Sequence, residues 1–178
     1  MEFIRSRAEL AGPETDWEKT WRLARLPGLG PEHTSFLFKM IHQILPTQEI
    51  LFRTNNGVNN ICKVPGCNEV DDLCHSLVLC ESNQQIGSNL MELLRHHQPS
   101  LSNSAALRLE LEVDEEVELP LVWIMAATLV SIWDQKKTKN RVIPHLTRSE
   151  LEAKINILRE TRLASMVNTL EEMIIRMF

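Results

Sequence analysis

All four cysteines of the chain lie between residues 61 and 80, in the stretch ICKVPGCNEVDDLCHSLVLC, together with one histidine. Thiolate sulfur and imidazole nitrogen are ligands that zinc prefers, and a structural zinc site takes four ligands in a tetrahedron. The spacing is C-x4-C-x7-H-x4-C. The sequence therefore predicts one structural zinc ion. The predicted ligands are Cys62, Cys67, His75 and Cys80.

Local sequence indicates how this segment could wrap around an ion. Pro65-Gly66 is a favourable turn between the first two cysteines. One of the two aspartates in NEVDDL can begin a short helix that carries His75. This helix has to loosen before Cys80, because five residues are more than one helical turn.

The fourth cysteine of the cluster, Cys74, is a spare thiol. It can be a small buried residue, or it can replace His75 as a ligand. Four unrelated buried cysteines and two disulfides are the remaining alternatives. The opening MEFIRSRAEL lacks the apolar core of a signal peptide, so we expect an intracellular protein of the cytoplasm or nucleus, where disulfides are rare.

Helical periodicity dominates the rest of the chain, and strand signals are almost absent. The predicted fold class is mainly α: a helical domain with an embedded CCHC zinc knuckle and a long C-terminal helix. We divide the chain into N-terminal helices (1–57), the knuckle (58–82) and a C-terminal helical region (83–178). The 178 residues are enough for one core, or for two small units that lean on each other. We expect the three parts to fold as one cooperative unit.

The most apolar run is LPLVWIMAATLVSIW, from Leu119 to Trp133. Fifteen residues rise about 22 Å as a helix, short of the roughly 30 Å core of a bilayer. We interpret the run as a buried helix that begins with Pro120 in its first turn and extends to about Lys139. No membrane role is expected.

The C-terminal residues are predicted to form one helix of about thirty residues. Thr147 and Glu150 form a capping box at its start. Apolar side chains then follow with alternating spacings of four and three, which is typical of a packing seam. The seam residues are Leu163, Val167, Leu170 and Ile174. The seam could cover the apolar helix, pair with a second copy of the chain, or bind a partner helix.

The formal net charge is −5, whereas a free-standing nucleic-acid-binding protein is typically basic. The charge is nevertheless uneven, because six carboxylates lie between Glu110 and Glu118 and a basic segment follows the apolar run. The basic residues of that segment are Lys136, Lys137, Lys139, Arg141 and Arg148. Lys63 adds a cation within the knuckle, and Arg22, Arg25 and Lys39 add support from the N-terminal helices.

Three stretches together resemble the C-terminal zinc-knuckle region of non-LTR (LINE-type) retrotransposon reverse transcriptases. They are DWEKTWRLARLPG, FLFKMIHQILPTQEIL and the C…C…H-x4-C knuckle, followed by the basic, tryptophan-containing SIWDQKK. The resemblance covers about residues 15 to 140, without the polymerase motif Tyr-x-Asp-Asp. It implies an excised region or stand-alone relative that contacts template RNA or target DNA.

We therefore expect a zinc-stabilised accessory module that binds RNA or DNA. The alternative is a non-catalytic protein-interaction or dimerisation module that uses the C-terminal seam. No enzymatic activity and no small-molecule substrate are expected. A closed four-ligand metal site has no open position for water. The Gly28–Gly30 stretch is not a phosphate loop, because no strand precedes it. The tryptophans are expected in the core, with stacking on bases as the alternative.

Overall fold

The computed structural model describes residues 16–25, 30–57, 59–139, 142–159 and 164–178. These ranges contain α-helices, one π-helix (His75–Leu79) and a 3-10 turn (Ala164–Met166), without any extended strand. The mainly α class predicted from the sequence is confirmed. The helices are α1 (Trp17–Leu23), α2 (Pro31–Ile41), α3 (Gln48–Arg53), α4 (Gln84–His97), α5 (Asn103–Leu107), α6 (Glu115–Lys139), α7 (Pro144–Leu158) and α8 (Val167–Met177).

Short polar side chains cap the first turns of the short helices. The Asp16 carboxylate accepts a hydrogen bond from the backbone N–H of Lys19 at the start of α1. The hydroxyls of Thr47 and Ser102 do the same at the starts of α3 and α5. Each cap satisfies one backbone N–H that the first turn of a helix leaves without a partner, so it fixes where the helix begins.

Helix α6 forms the centre of the core. Its residues from Leu121 to Ile132 are buried on every side, and α2, α4, α7, α8 and the π-helix pack around it. The stretch Glu116–Thr138 is long and apolar enough to cross a membrane by length and composition, but 78% of its most apolar window is buried inside the protein. That burial is typical of a core helix.

The start of α6 differs from the prediction. Pro120 lies inside the helix rather than in its first turn, because the helix begins at Glu115. The backbone carbonyl of Asp114 accepts hydrogen bonds from the N–H groups of Val117 and Glu118. Negative side chains stabilise the N-terminus of a helix, so part of the acidic run extends α6 by a turn.

The acidic run also attaches α1 to the core. Glu118 is buried, and its carboxylate forms ion pairs with Lys19 at 2.8 Å and with Arg22 at 3.3 Å. Glu110 pairs with Arg108 at 2.7 Å. Carboxylates at both ends of the run therefore have partners within the chain.

The prediction of a single long C-terminal helix was wrong, because the structure has two separate helices there. Helix α7 begins at Pro144 and includes Thr147, whose buried hydroxyl accepts a hydrogen bond from the Gln135 amide rather than capping a helix. Helix α8 is a separate element that begins at Val167 after the 3-10 turn. The separation lets α8 pack against α4, α6 and α7, which buries its apolar side more completely than one extended helix would.

The seam residues that the structure describes face the chain's own core. Val167, Leu170 and Ile174 are buried among the helices that surround α8. The Asn89 side-chain amide donates a hydrogen bond to the carbonyl of Met177 and fixes the end of α8 on α4. Leu163 lies outside the described residues.

Candidate metal centre

The four predicted ligands come together in the structure. Their ligand atoms all lie within 4.8 Å of one another, and all four residues are buried. The Sγ atoms of Cys62 and Cys80 are 3.8 Å apart, and the Sγ of Cys67 is 3.4 Å from the Nε2 of His75. The four cysteines of the chain are free thiols, so the cluster contains no disulfide. Four buried Cys and His side chains in this arrangement could hold one metal ion.

A short antiparallel contact positions the first two ligands. Ile61 and Val70 form an isolated bridge, and the N–H of Cys62 donates to the carbonyl of Glu69 at 2.9 Å. The tight turn between them ends with the N–H of Cys67 bonded to the carbonyl of Val64 at 3.0 Å. Gly66 has φ +87°, the value that the third residue of a type II turn requires and that glycine adopts without strain. The predicted Pro-Gly turn is confirmed.

The π-helix positions the other two ligands. The Asp72 carboxylate accepts a hydrogen bond from the N–H of His75 at 2.7 Å, so Asp72 is the aspartate that begins this element. The N–H of Cys80 then donates to the carbonyl of His75 at 2.8 Å. This bond spans five residues, the π-helical spacing, and it is the loosening that the His-x4-Cys spacing predicts.

Cys74 stays outside the cluster. Its half-buried side chain packs against the main apolar core, in contrast to the other three cysteines, which form a small separate cluster with Val64. Because consecutive residues on a helical turn point in different directions, only one of Cys74 and His75 can face the other ligands. The structure brings His75 to them.

A buried ion pair between Lys136 of α6 and Asp71 of the knuckle supports the π-helix. The Lys136 Nζ lies 3.2 Å from the Asp71 carboxylate and 3.3 Å from the Ser76 carbonyl, and both charged side chains are about one-tenth exposed. Asp71 also accepts from the Ser76 hydroxyl at 2.6 Å and from the N–H of Gln48 at 3.1 Å. These contacts tie the knuckle to α3 and α6. Sequence reasoning missed them, because Asp71 and Lys136 are 65 positions apart and no local pattern links them.

The surroundings of the ligands shift their pKa values in different directions. Burial raises the pKa of the Cys62 thiol to about 12. Burial also opposes ionisation of Cys80, but hydrogen bonds from Ser82 and the positive charge of Lys136 outweigh it and lower the pKa of that thiol. Burial, assisted by Lys136, lowers the pKa of His75, which favours the neutral imidazole that metal binding requires.

Two of the predicted basic residues lie on one cavity with Lys136. This lysine cavity, of about 340 Å³, is lined by Lys63 and Val64 of the knuckle, Leu51 of α3, and Trp133, Lys136 and Lys137 of α6. Lys63 and Lys137 are exposed, whereas Lys136 is held in its ion pair. The indole of Trp133 is half-buried and packs on Phe36 with ring centroids 6.5 Å apart.

The other predicted basic residues are placed differently. Arg148 is on α7, where its guanidinium pairs with Glu152 at 2.8 Å. Lys139 ends α6, and its side chain is outside the described part of the chain, as is Arg141. The lysine cavity therefore brings together only part of the basic segment.

Comparisons of the chain with protein-family models, with curated proteins and with solved structures each gave no match. The resemblance to the zinc-knuckle region of LINE-type reverse transcriptases thus stays a prediction.

Proposed function

We propose that the chain is a zinc-stabilised accessory module that binds nucleic acid, without catalytic activity of its own. Zinc follows from the donor set, because three thiolates and one imidazole match a structural zinc site. A tetrahedral ion with bonds of about 2.3 Å to sulfur and about 2.0 Å to nitrogen separates two sulfurs by about 3.8 Å and a sulfur from a nitrogen by about 3.5 Å. The Cys62–Cys80 and Cys67–His75 distances, 3.8 Å and 3.4 Å, match these values, and the ligand atoms of all four residues lie within 4.8 Å of one another.

The composition of the donor set argues for a structural rather than a catalytic ion. Four protein ligands leave no position open for water or substrate. The ion would instead hold the two halves of the knuckle together, since Val64 is the one apolar side chain that packs against the cysteine cluster within the part of the chain that the structure describes. The loop that carries Cys62 and Cys67 therefore depends on the metal for its fold, whereas Leu77 and Val78 hold the π-helix in the main core.

The lysine cavity is the observation that supports nucleic-acid binding. Lys63 and Lys137 come from two elements far apart in sequence, and both exposed ammonium groups border the same cavity beside a half-buried tryptophan. Lysines at such a site contact phosphates, which provides affinity with little sequence information. Lys136 has a different role. Its ammonium group forms an ion pair with Asp71, so it holds α6 against the knuckle at the wall of the cavity.

The test is fluorescence anisotropy of the full chain, after elemental analysis has established one zinc equivalent. Structured RNA, single-stranded DNA and duplex DNA are titrated at several salt concentrations. Lys63→Ala with Lys137→Ala should weaken binding, because two phosphate contacts are lost. The slope of log affinity against log salt should fall by about 1.4 on single strands.

The matched control is Arg159→Ala with Arg176→Ala. It removes the same charge from exposed positions that do not border the lysine cavity. The proposal requires a smaller effect in this control than in the lysine variant. Absence of binding by the unchanged chain at low salt would disprove the nucleic-acid function. Equal effects of the two variants would show that the lysine cavity is not the binding site.

A further inference from the structure

A second surface carries exposed aromatic rings. Trp17 and Trp21 of α1 lie against Phe38 of α2 and His42, which follows it; we call these four side chains the aromatic shelf. The Trp17 ring is 6.4 Å from both Trp21 and His42, with interplanar angles of 26° and 15°. Phe38 lies 5.6 Å from Trp21 and 4.5 Å from His42. The rings thus form one continuous group rather than scattered surface residues.

The outer rings of the shelf are open to solvent. Trp17 is 38% exposed and Phe38 is 46% exposed, whereas Trp21 packs in part against the main core. Large aromatic side chains contribute strongly when they are covered, so a group of them at the surface indicates a contact site. Trp21 therefore contributes to the core, whereas Trp17 and Phe38 are accessible to a ligand.

Two cavities flank Phe38, and one cation borders both. One cavity, of about 480 Å³, is lined by Trp21, Arg22 and Phe38, with Glu18 and Arg25. The other, of about 500 Å³, lies towards Thr34 and Ser35 of α2 and is again bordered by Trp21, Arg25 and Phe38. Arg25 is exposed, and Arg22 shares the Glu118 carboxylate with Lys19. Guanidinium groups beside open aromatic faces match a ligand that has both flat rings and negative charge.

We infer that the aromatic shelf stacks unpaired bases of a single-stranded nucleic acid while Arg25 contacts its phosphate backbone. This inference rests on the proposed function and specifies its ligand. A base presents its flat face only when it is unpaired and unstacked, so a stacking surface selects single strands over duplexes. Every base has such a face, and recognition would therefore tolerate many sequences.

The test measures binding to a single-stranded oligonucleotide and to the same oligonucleotide with internal abasic positions, which keep the phosphates but lack bases. The unchanged chain should bind the abasic strand at least about fivefold more weakly. Trp17→Ala with Phe38→Ala should weaken binding to the intact strand by a similar factor and should remove the difference between the two strands. The salt slope should stay the same, because no cation has been lost.

Matched substitutions separate stacking from general damage. Phe52→Ala removes a phenyl ring of similar exposure, 47%, that does not belong to the shelf, and it should leave affinity unchanged. Phe38→Tyr keeps the ring and should keep the preference for intact strands. If the double variant fails to fold, the comparison of intact and abasic strands with the unchanged chain still tests the inference.

The possible failures are distinguishable. If the unchanged chain binds no nucleic acid, the proposed function fails and this inference falls with it. If the chain binds with the expected salt dependence but treats intact and abasic strands alike, only the inference about the shelf is overturned. An unchanged affinity in the folded Trp17→Ala, Phe38→Ala variant would also overturn it.

Discussion

Lys136 illustrates how a single residue can have a role different from that suggested by its neighbours in sequence. It stands in a basic segment, and its sequence context predicts a phosphate contact. In the fold its side chain is 11% exposed, and its ammonium group contacts the Asp71 carboxylate and the Ser76 carbonyl. Lys137, the next residue, is exposed. The residue that joins α6 to the knuckle and the residue available to a ligand are therefore adjacent.

Replacing Lys136 with Met should destabilise the fold rather than only weaken binding. The substitution leaves the Asp71 carboxylate buried without its charged partner, which should lower the free energy of unfolding by about 3 kcal/mol. Urea unfolding of the zinc-loaded chain measures this loss. Adding Asp71→Asn should recover part of it, because the remaining group no longer carries a buried charge.

The neighbouring Lys137→Met is the control for this effect. An exposed lysine contributes little to folding, so the free energy of unfolding should change by less than about 0.5 kcal/mol. Equal stability losses for Lys136→Met and Lys137→Met would contradict the role of the buried ion pair.

Among the elements, the knuckle is the one whose internal design could be predicted best from the sequence. The spacing of the ligands, the Pro65-Gly66 turn and the loosened helix before Cys80 are local features, and all appear in the structure. The sequence also predicts that Leu73, Leu77 and Val78 pack the knuckle onto neighbouring helices, and the structure confirms this. The helix that the knuckle contacts could not be predicted. The π-helix packs on α4 so closely that a Cβ at Gly87 would lie 2.4 Å from the carbonyl oxygen of Val78, and this contact depends on two backbones meeting in space.

Removing the metal should unfold the knuckle first and loosen the elements attached to it. Metal binding of this kind contributes on the order of 10 kcal/mol to folding. Among the described residues, Val64 is the apolar side chain that packs against the three ligand cysteines, whereas Leu77 and Val78 anchor the π-helix in the main core. Hydrogen exchange after chelation should show loss of protection in residues 59–82, with α4 affected next through Gly87. Readdition of zinc should restore protection.

Two single substitutions check that the effect of chelation comes from the site. Cys80→Ser should reproduce the exchange pattern of the chelated protein and abolish stoichiometric zinc. Cys74→Ser should retain one zinc equivalent, since Cys74 lies outside the cluster. Full protection of residues 59–82 in the chelated protein would show that the knuckle does not need the ion.

At the scale of the whole molecule, one apolar cluster runs from Leu23 of α1 to Met177 of α8. The sequence made the central helix evident, because its apolar residues occur on every side. It could not establish the path of the C-terminal residues, since a heptad-like seam looks the same whether it covers the chain's own core or another molecule. In the described residues, α8 is separate from α7, folds back and packs on α4 and α6.

Substitution of Val167 by Asp distinguishes these two uses of the seam. Val167 is 5% exposed, so the new carboxylate would be buried without a partner, at a cost of several kcal/mol. Domains are stable by only about 5–15 kcal/mol, and we therefore expect loss of the cooperative thermal transition seen by circular dichroism. Ile175→Asp adds the same charge to the same helix at a side chain that is 70% exposed, and it should melt like the unchanged chain. Light scattering completes the test, because a dimer that Val167→Asp converts into a folded monomer would mean that the seam joins two copies.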